Sequence, residues 1–391
     1  MDKLSILLMI DNMKIGGIQK NMLNLLNELH SKYELTLCIF NPVGEYMSLI
    51  PQDVKVIKIN SAFRYLGMSN TEAKGKLTSF IGRSFYYFIM RLFGNKTMYK
   101  LMLKTQQNLG KYDFAISGMQ GAVAGVFYSG CNEVILERVE ASVKAAYIHC
   151  DYILSGIDNP YNRSVYRKFD KVLVPNQSNY NQLVSVLPDI KSKIRIVNNF
   201  CNYQEVLEKA EMNSVVYDNT KVNIVTVARI SPEKGVDRAI NVFERLKNEG
   251  YSFTYHVVGG GGNYDELCTL VKEHNLSEYI FLHGYDSNPY RYIKNANFFL
   301  LPSRNEAAGL VIDEARSLGV PVLSTKTVAA EETLSLHNCG WVCENSDEGV
   351  YFGIKKLLDD VSIIQEKHKS LSEKKADNSI PAKQFDEMLR Q

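Results

Sequence analysis

An α/β protein made of two doubly wound parallel-sheet domains is the fold class this sequence predicts, on three observations. At 391 residues the chain is too long for one ordinary core, and two domains of about 200 residues each are expected. Short apolar runs of strand length alternate with stretches of helical period through both halves, the pattern of βα units stacked in a parallel sheet. Several strand-to-helix junctions are rich in glycine or in basic residues, at the carboxyl ends of strands where such sheets collect ligands.

Composition narrows the function. Apolar residues make up 45% and charged residues 23%, with a formal net charge of +2. These are the figures of a soluble globular protein, and they give no reason to expect nucleic acid as a partner. The seven cysteines include no C-x-x-C pair, so they read as reduced thiols in a cytoplasmic protein and not as a zinc or disulfide framework. The opening apolar run is too short for a signal peptide, and no run of about 18 apolar residues is present to span a membrane.

Leu4–Ile10 is the expected first strand. It leads through Gly16-Gly17 into a helix whose apolar face is Met22, Leu23, Leu25, Leu26 and Leu29. Glycines at that junction would let backbone approach a phosphate or sugar, although a plain tight turn explains them equally. Residues 35–40, 54–59, 114–116 and 134–136 read as further strands. Residues 61–110 break the rhythm: eight basic residues stand against the single Glu72, with Phe80, Phe85, Tyr86, Tyr87, Phe88 and Phe93 interleaved. A basic, aromatic helical segment suits an interfacial helix on anionic lipid. An ordinary helical layer with lysines reaching outward is the bland alternative. His149 closes an apolar run at a strand end facing a cleft, where a lone histidine is more often structural.

After strands at 172–174 and 194–197, the polar stretch 201–218 reads as a linker. The second half opens with the strand 222–228, then Arg229 and Lys234 in a strand-to-helix loop. Two cations so placed can meet a diphosphate, one by its guanidinium fork and one as a point charge, or can simply be solvated. The strand 255–258 ends in Gly259-Gly260-Gly261-Gly262, and 280–285 ends at Gly284-Tyr285. Neither a nucleotide-hydrolysing loop nor a dinucleotide fingerprint fits these glycines. The strand Phe298–Leu301 then runs into Glu306, followed by a helix from Ala308 that carries Leu310, Val311, Ala315 and Leu318 on one face. A helix start offers free N–H groups and a positive dipole end to an anion, here around Gly309, Leu310 and Val311. Glu314 lies about 12 Å beyond Glu306 at the helical rise. One carboxylate could then hold a sugar and the other a ribose; a loop glutamate and a solvated helix glutamate are the alternative.

Taken together, Gly16-Gly17, Arg229…Lys234, Gly259–Gly262, Gly284 and Glu306…Glu314 resemble the retaining glycosyltransferases of family 4, with their E-x7-E motif. The resemblance implies the GT-B architecture, two Rossmann-like domains facing across a cleft. It assigns 1–200 to an acceptor-binding domain, 219–370 to a nucleotide-sugar-binding domain and 371–391 to a C-terminal helix or tail. It implies a catalytic set of Arg229, Lys234, Glu306 and His149. Arg229 and Lys234 would neutralise the diphosphate, Glu306 would contact the donor sugar, and His149 would face it. Donor binding would involve Gly16, Gly17, Gly259, Gly284, Tyr285, Gly309, Leu310, Val311 and Glu314. Gly284 and Tyr285 would lie by the base, and Glu314 on the ribose. The expected reaction is retaining transfer from a nucleoside-diphosphate sugar, expected to be a UDP-sugar, to a lipid-linked or growing glycan acceptor in cell-surface polysaccharide synthesis. No two aspartates have D-x-D spacing, so no metal or other cofactor is expected. Localisation would be cytoplasmic, peripheral on the inner face of the membrane. Ala307-Ala308 depart from the family's Glu-Gly-Phe-Gly. That departure motivates the alternative of a catalytically silent GT-B subunit binding a partner transferase or glycan.

Overall fold

The computed structural model describes residues 3–306 and 309–390. It divides into two compact units, residues 1–200 with 378–391, and residues 201–377.

The first unit holds a seven-stranded parallel sheet in the order β3-β2-β1-β4-β5-β6-β7. Its strands are β1 (Ser5–Ile10), β2 (Glu34–Ile39), β3 (Lys55–Lys58), β4 (Lys111–Ser117), β5 (Glu140–Tyr147), β6 (Lys171–Val174) and β7 (Ile194–Ile196). β1 and β6 are buried nearly end to end, as expected of central strands covered on both faces and written as continuous apolar runs. The helix Gly17–Leu29 follows β1 and buries the predicted apolar face. Residues 134–136, read from sequence as a strand, instead belong to the helix Cys131–Arg138. A three-residue apolar run cannot distinguish a strand from a buried helical turn.

The second unit holds a six-stranded parallel sheet in the order β10-β9-β8-β11-β12-β13. Its strands are β8 (Val222–Val227), β9 (Phe253–Val258), β10 (Ile280–Gly284), β11 (Phe298–Leu301), β12 (Val322–Thr325) and β13 (Gly340–Cys343). In both sheets the strand order reverses beside the first strand, at β1/β4 and at β8/β11, the crevice position of a doubly wound fold.

Both boundary segments are structured. Residues 201–218 are no bare linker: they contain the helix Tyr203–Glu211, and Val206, Ala210 and Tyr217 are buried in the second unit's core. The C-terminal tail is structural. The helix Ser379–Arg390 buries Pro381, Phe385, Met388 and Leu389 in the first unit, with Phe385 against Tyr33 and Phe200 at ring distances of 6.1 and 6.4 Å.

The basic aromatic segment forms the helix Leu77–Leu103, interrupted at Gly94 (φ +78°). One side buries Met90, Met98, Tyr99 and Met102. The other leaves Leu77, Ile81, Phe85, Phe88 and Leu92 exposed, one stripe at helical spacing. Not every cation there is solvated, since Arg83 donates to the Tyr65 carbonyl and the Asn70 side chain. No described helix is long and apolar enough to cross a membrane.

Candidate active site

Arg229, Lys234 and Glu306 lie at the carboxyl ends of β8 and β11, the two strands flanking the second unit's switch point, while Gly259 follows β9 and Gly284 closes β10 just before Tyr285. β8 leads into the loop of Arg229 and Lys234, and β11 into that of Glu306. Lys234 Nζ donates to Glu306 Oε2 at 2.6 Å, with both side chains mostly buried. Glu306 Oε1 also accepts the Gly309 N–H at 3.4 Å. Gly309 sits in the left-handed region (φ +52°) and begins the helix Leu310–Ser317, so Leu310 and Val311 supply its first-turn N–H groups. Ala307 and Ala308 lie outside the described residues.

Arg229 is more exposed and pairs with Glu233 at 2.7 Å. It does not share Lys234's partner. Glu314 accepts from the buried Tyr290 hydroxyl at 2.9 Å, a contact that fixes its carboxylate one helical turn into the element.

The glycine loops pack closely on neighbouring backbone. A side chain at Gly259 would meet the Ala228 carbonyl at 1.9 Å, and one at Gly261 the Ile230 carbonyl at 2.1 Å. The backbone these glycines approach is therefore the chain on either side of Arg229. Gly259 N–H donates to the Gly284 carbonyl at 2.7 Å, joining this loop to the one where Tyr285 stands exposed. Gly16 is extended (φ −178°) and open space surrounds a Cβ at Gly17. Neither position demands glycine by its own backbone.

His149 belongs to the first unit, two residues past β5. Its ring stacks on Tyr147 at 4.0 Å. Burial pushes its pKa down to about 3, against a hydrogen bond to Gly118 backbone, so the ring is neutral at physiological pH. Its Nε2 is buried without a partner among the described residues.

Residues that the sequence reading missed hold this site together. Arg304 grips Asp237 with both terminal nitrogens at 2.7 and 2.6 Å, and its N–H donates to the Glu233 carbonyl at 2.8 Å. Arg238, buried, reaches the Pro302 and Ser303 carbonyls. The available signal was a cation on the apolar face of the helix Val236–Asn248, beside Val242 and Phe243. Among the described residues, no cluster of three His, Cys, Asp or Glu is placed to hold a metal.

Residues 208–377 match the family model described as Glycosyl transferases group 1. The chain is 29% identical over 198 residues to the N-acetylgalactosamine-N,N'-diacetylbacillosaminyl-diphospho-undecaprenol 4-alpha-N-acetylgalactosaminyltransferase of Campylobacter jejuni, covering 50% of this chain and 53% of that one. It is 30% identical over 141 residues to the capsular polysaccharide biosynthesis glycosyltransferase CapM of Staphylococcus aureus, covering 35% and 37%. The chain thus spans about half the length, or less, of these curated relatives. Among solved structures, Anabaena Alr3699/HepE in complex with UDP superposes with a TM-score of 0.67 at 16% identity, over 99% of this chain and 100% of that one. Staphylococcus aureus TarM, in a complex containing UDP, gives 0.69 at 14% identity, over 99% and 100%. The fold is GT-B, two Rossmann-like parallel-sheet domains.

Proposed function

We propose that this chain is a retaining, metal-independent glycosyltransferase moving a sugar from a nucleoside-diphosphate sugar, in our reading a UDP-sugar, onto a lipid-linked or growing glycan acceptor in cell-surface polysaccharide synthesis. The observation that carries the proposal is the Lys234–Glu306 contact across the β8/β11 switch point. Breaking a glycosyl–diphosphate bond develops negative charge on the departing phosphate, and a fixed, mostly buried cation stabilises it without reorganising. Lys234, Arg229 and the start of the helix Leu310–Ser317 stand in this reading where another transferase would hold a divalent ion. Glu306 serves the sugar side, Glu314 the ribose, and the Gly284-Tyr285 loop the base. His149, neutral, contributes a hydrogen bond and no charge. Front-face attack, with the leaving phosphate assisting deprotonation of the acceptor, requires no carboxylate nucleophile.

Relatives support the acceptor class. One carries a diphospho-undecaprenol substrate in its name and another is named for capsular polysaccharide. The exposed stripe Leu77, Ile81, Phe85, Phe88 and Leu92, flanked by exposed Lys74, Lys76, Arg91 and Lys96, matches an anionic membrane surface on which such an acceptor resides.

The test is turnover of a panel of sugar nucleotides in EDTA by wild type and Lys234→Ala. Wild type is expected to release nucleoside diphosphate without added metal. The variant should lose about 2–4 kcal/mol of transition-state stabilisation, roughly 30- to 900-fold in rate. A strict requirement for magnesium, or full activity in Lys234→Ala, would overturn the assignment.

A further inference from the structure

Arg238 is a charged side chain in an apolar setting. It lies in the first turn of the helix Val236–Asn248, 3% exposed, among Val236, Ala239 and Ile240. Burying a guanidinium is costly unless its N–H groups are satisfied, and an apolar side chain of similar volume would often pack at least as well. What distinguishes arginine here is where its fork points. Nε donates to the Pro302 carbonyl at 2.8 Å, and one terminal nitrogen donates to the Ser303 carbonyl at 2.8 Å and the Asn345 side-chain oxygen at 2.9 Å. Asn345 in turn donates to the Arg304 carbonyl at 3.0 Å. Three consecutive carbonyls of the β11 loop, at 302, 303 and 304, are thus held directly or through one residue. Glu306 is two residues further on.

The other end of the contact is equally constrained. Lys234 precedes Gly235, which is left-handed (φ +66°) and so close to the β11 loop that a Cβ there would meet the Pro302 carbonyl at 2.1 Å. The loop of Lys234 and the loop of Glu306 are therefore pressed together at Pro302 and fastened by Arg238.

We propose that Arg238 is a positioning residue for sugar transfer, setting the register between the Lys234 and Glu306 loops so that the two side chains meet the donor as one unit. This rests on the reading of Lys234 and Glu306 as donor-contacting groups. A planar fork of fixed donors specifies the placement of several carbonyls at once, which an ammonium or an apolar side chain does not.

The experiment measures Arg238→Met, Arg238→Lys, Glu306→Gln and the double variant Arg238→Met/Glu306→Gln in the full-length protein. Donor turnover is read together with amide hydrogen exchange over residues 303–306 and 231–235. Arg238→Met is expected to lower kcat at least tenfold with donor KM within about threefold. Arg238→Lys should recover part of that loss. The double variant should be scarcely slower than Glu306→Gln alone, because both changes disable one unit. Exchange in the two loops should quicken at least tenfold while β9 and β12 stay protected. Additive losses, or unchanged exchange in both loops, would overturn the proposal. If Arg238→Met does not fold, Asn345→Ala removes one of the fork's partners from the exposed side. It should lower kcat two- to fivefold and quicken exchange at 303–306, and wild-type exchange would count against Arg238. Should wild type turn over no sugar nucleotide, the functional reading fails, while the exchange measurement still decides whether Arg238 fastens the loops.

Discussion

At the scale of single residues, the legible part of the candidate site is the part carried on strand-to-helix loops. Lys234 and Glu306 could be read because each stands where a strand run ends and a helical period begins. Arg238 could not, because its partners lie 64 to 107 positions away, and a cation on an apolar face does not announce which carbonyls it will meet. Glu133 was hidden for the same reason. It is buried in the first unit and accepts from the Tyr161 hydroxyl at 2.9 Å, and burial pushes its carboxyl from 4.5 up to about 7. Between those values the folded protein holds a proton that the unfolded chain has released. Its contribution to stability is therefore present below pH 4.5 and lost as pH rises through 7, by an amount on the order of 3 kcal/mol. His149 has the opposite slope below pH 6.5, since its folded form resists protonation, but it is common to wild type and variant and cancels in their difference. Glu133→Gln keeps an acceptor for Tyr161 and has no proton to lose. Urea denaturation should find it gaining on wild type by that amount between pH 5 and pH 8. A difference that does not change with pH would show that Glu133 is ionised at no cost.

At the scale of elements, the sequence reading succeeded where burial on both faces wrote an unbroken apolar run, as in Leu4–Ile10 and Phe298–Leu301. It failed at β13, which is only partly buried and carries Gly340 and Cys343 in a short run. The helix Leu77–Leu103 is the intermediate case. Its aromatic content was visible, but which aromatics face the core was not. Tyr99 turns inward and its hydroxyl reaches the Tyr128 carbonyl, while Phe88 and Leu92 remain 59% and 57% exposed. That division makes the lipid reading testable without touching the core. Ile81→Glu/Phe88→Glu/Leu92→Glu places three carboxylates on the exposed stripe and reverses its match to an anionic surface. In flotation with phosphatidylglycerol-containing vesicles, wild type should rise with the lipid and the triple variant remain with the soluble fraction. Turnover of a water-soluble acceptor should be unaltered. Equal flotation of the two proteins would assign the stripe to something other than lipid.

At the scale of the whole molecule, the chain's last helix returns to the unit that its first residues built. Local pattern could suggest a helix near Phe385–Leu389, but not its destination, which depends on Tyr33 and Phe200 far earlier in the chain. The helix Ser379–Arg390 buries Phe385, Met388 and Leu389 there, and Tyr33 donates to Asp386 at 2.5 Å. Each large apolar side chain so buried stabilises by about 1.5–3 kcal/mol. The sole tryptophan, Trp341, lies in β13 of the other unit and packs against that unit's core. The two units can therefore be followed separately, Trp341 fluorescence reporting the second and far-UV circular dichroism both. Deleting residues 379–391 should lower the first unit's melting transition by roughly 10 °C or more. The Trp341 transition, and its upward shift on adding UDP, should stay within about two degrees of wild type, since a ligand bound by the native second unit stabilises that unit. A Trp341 transition that falls together with the dichroism would mean that the two units melt as one, and that the tail's contacts with Tyr33 and Phe200 support the second unit as well.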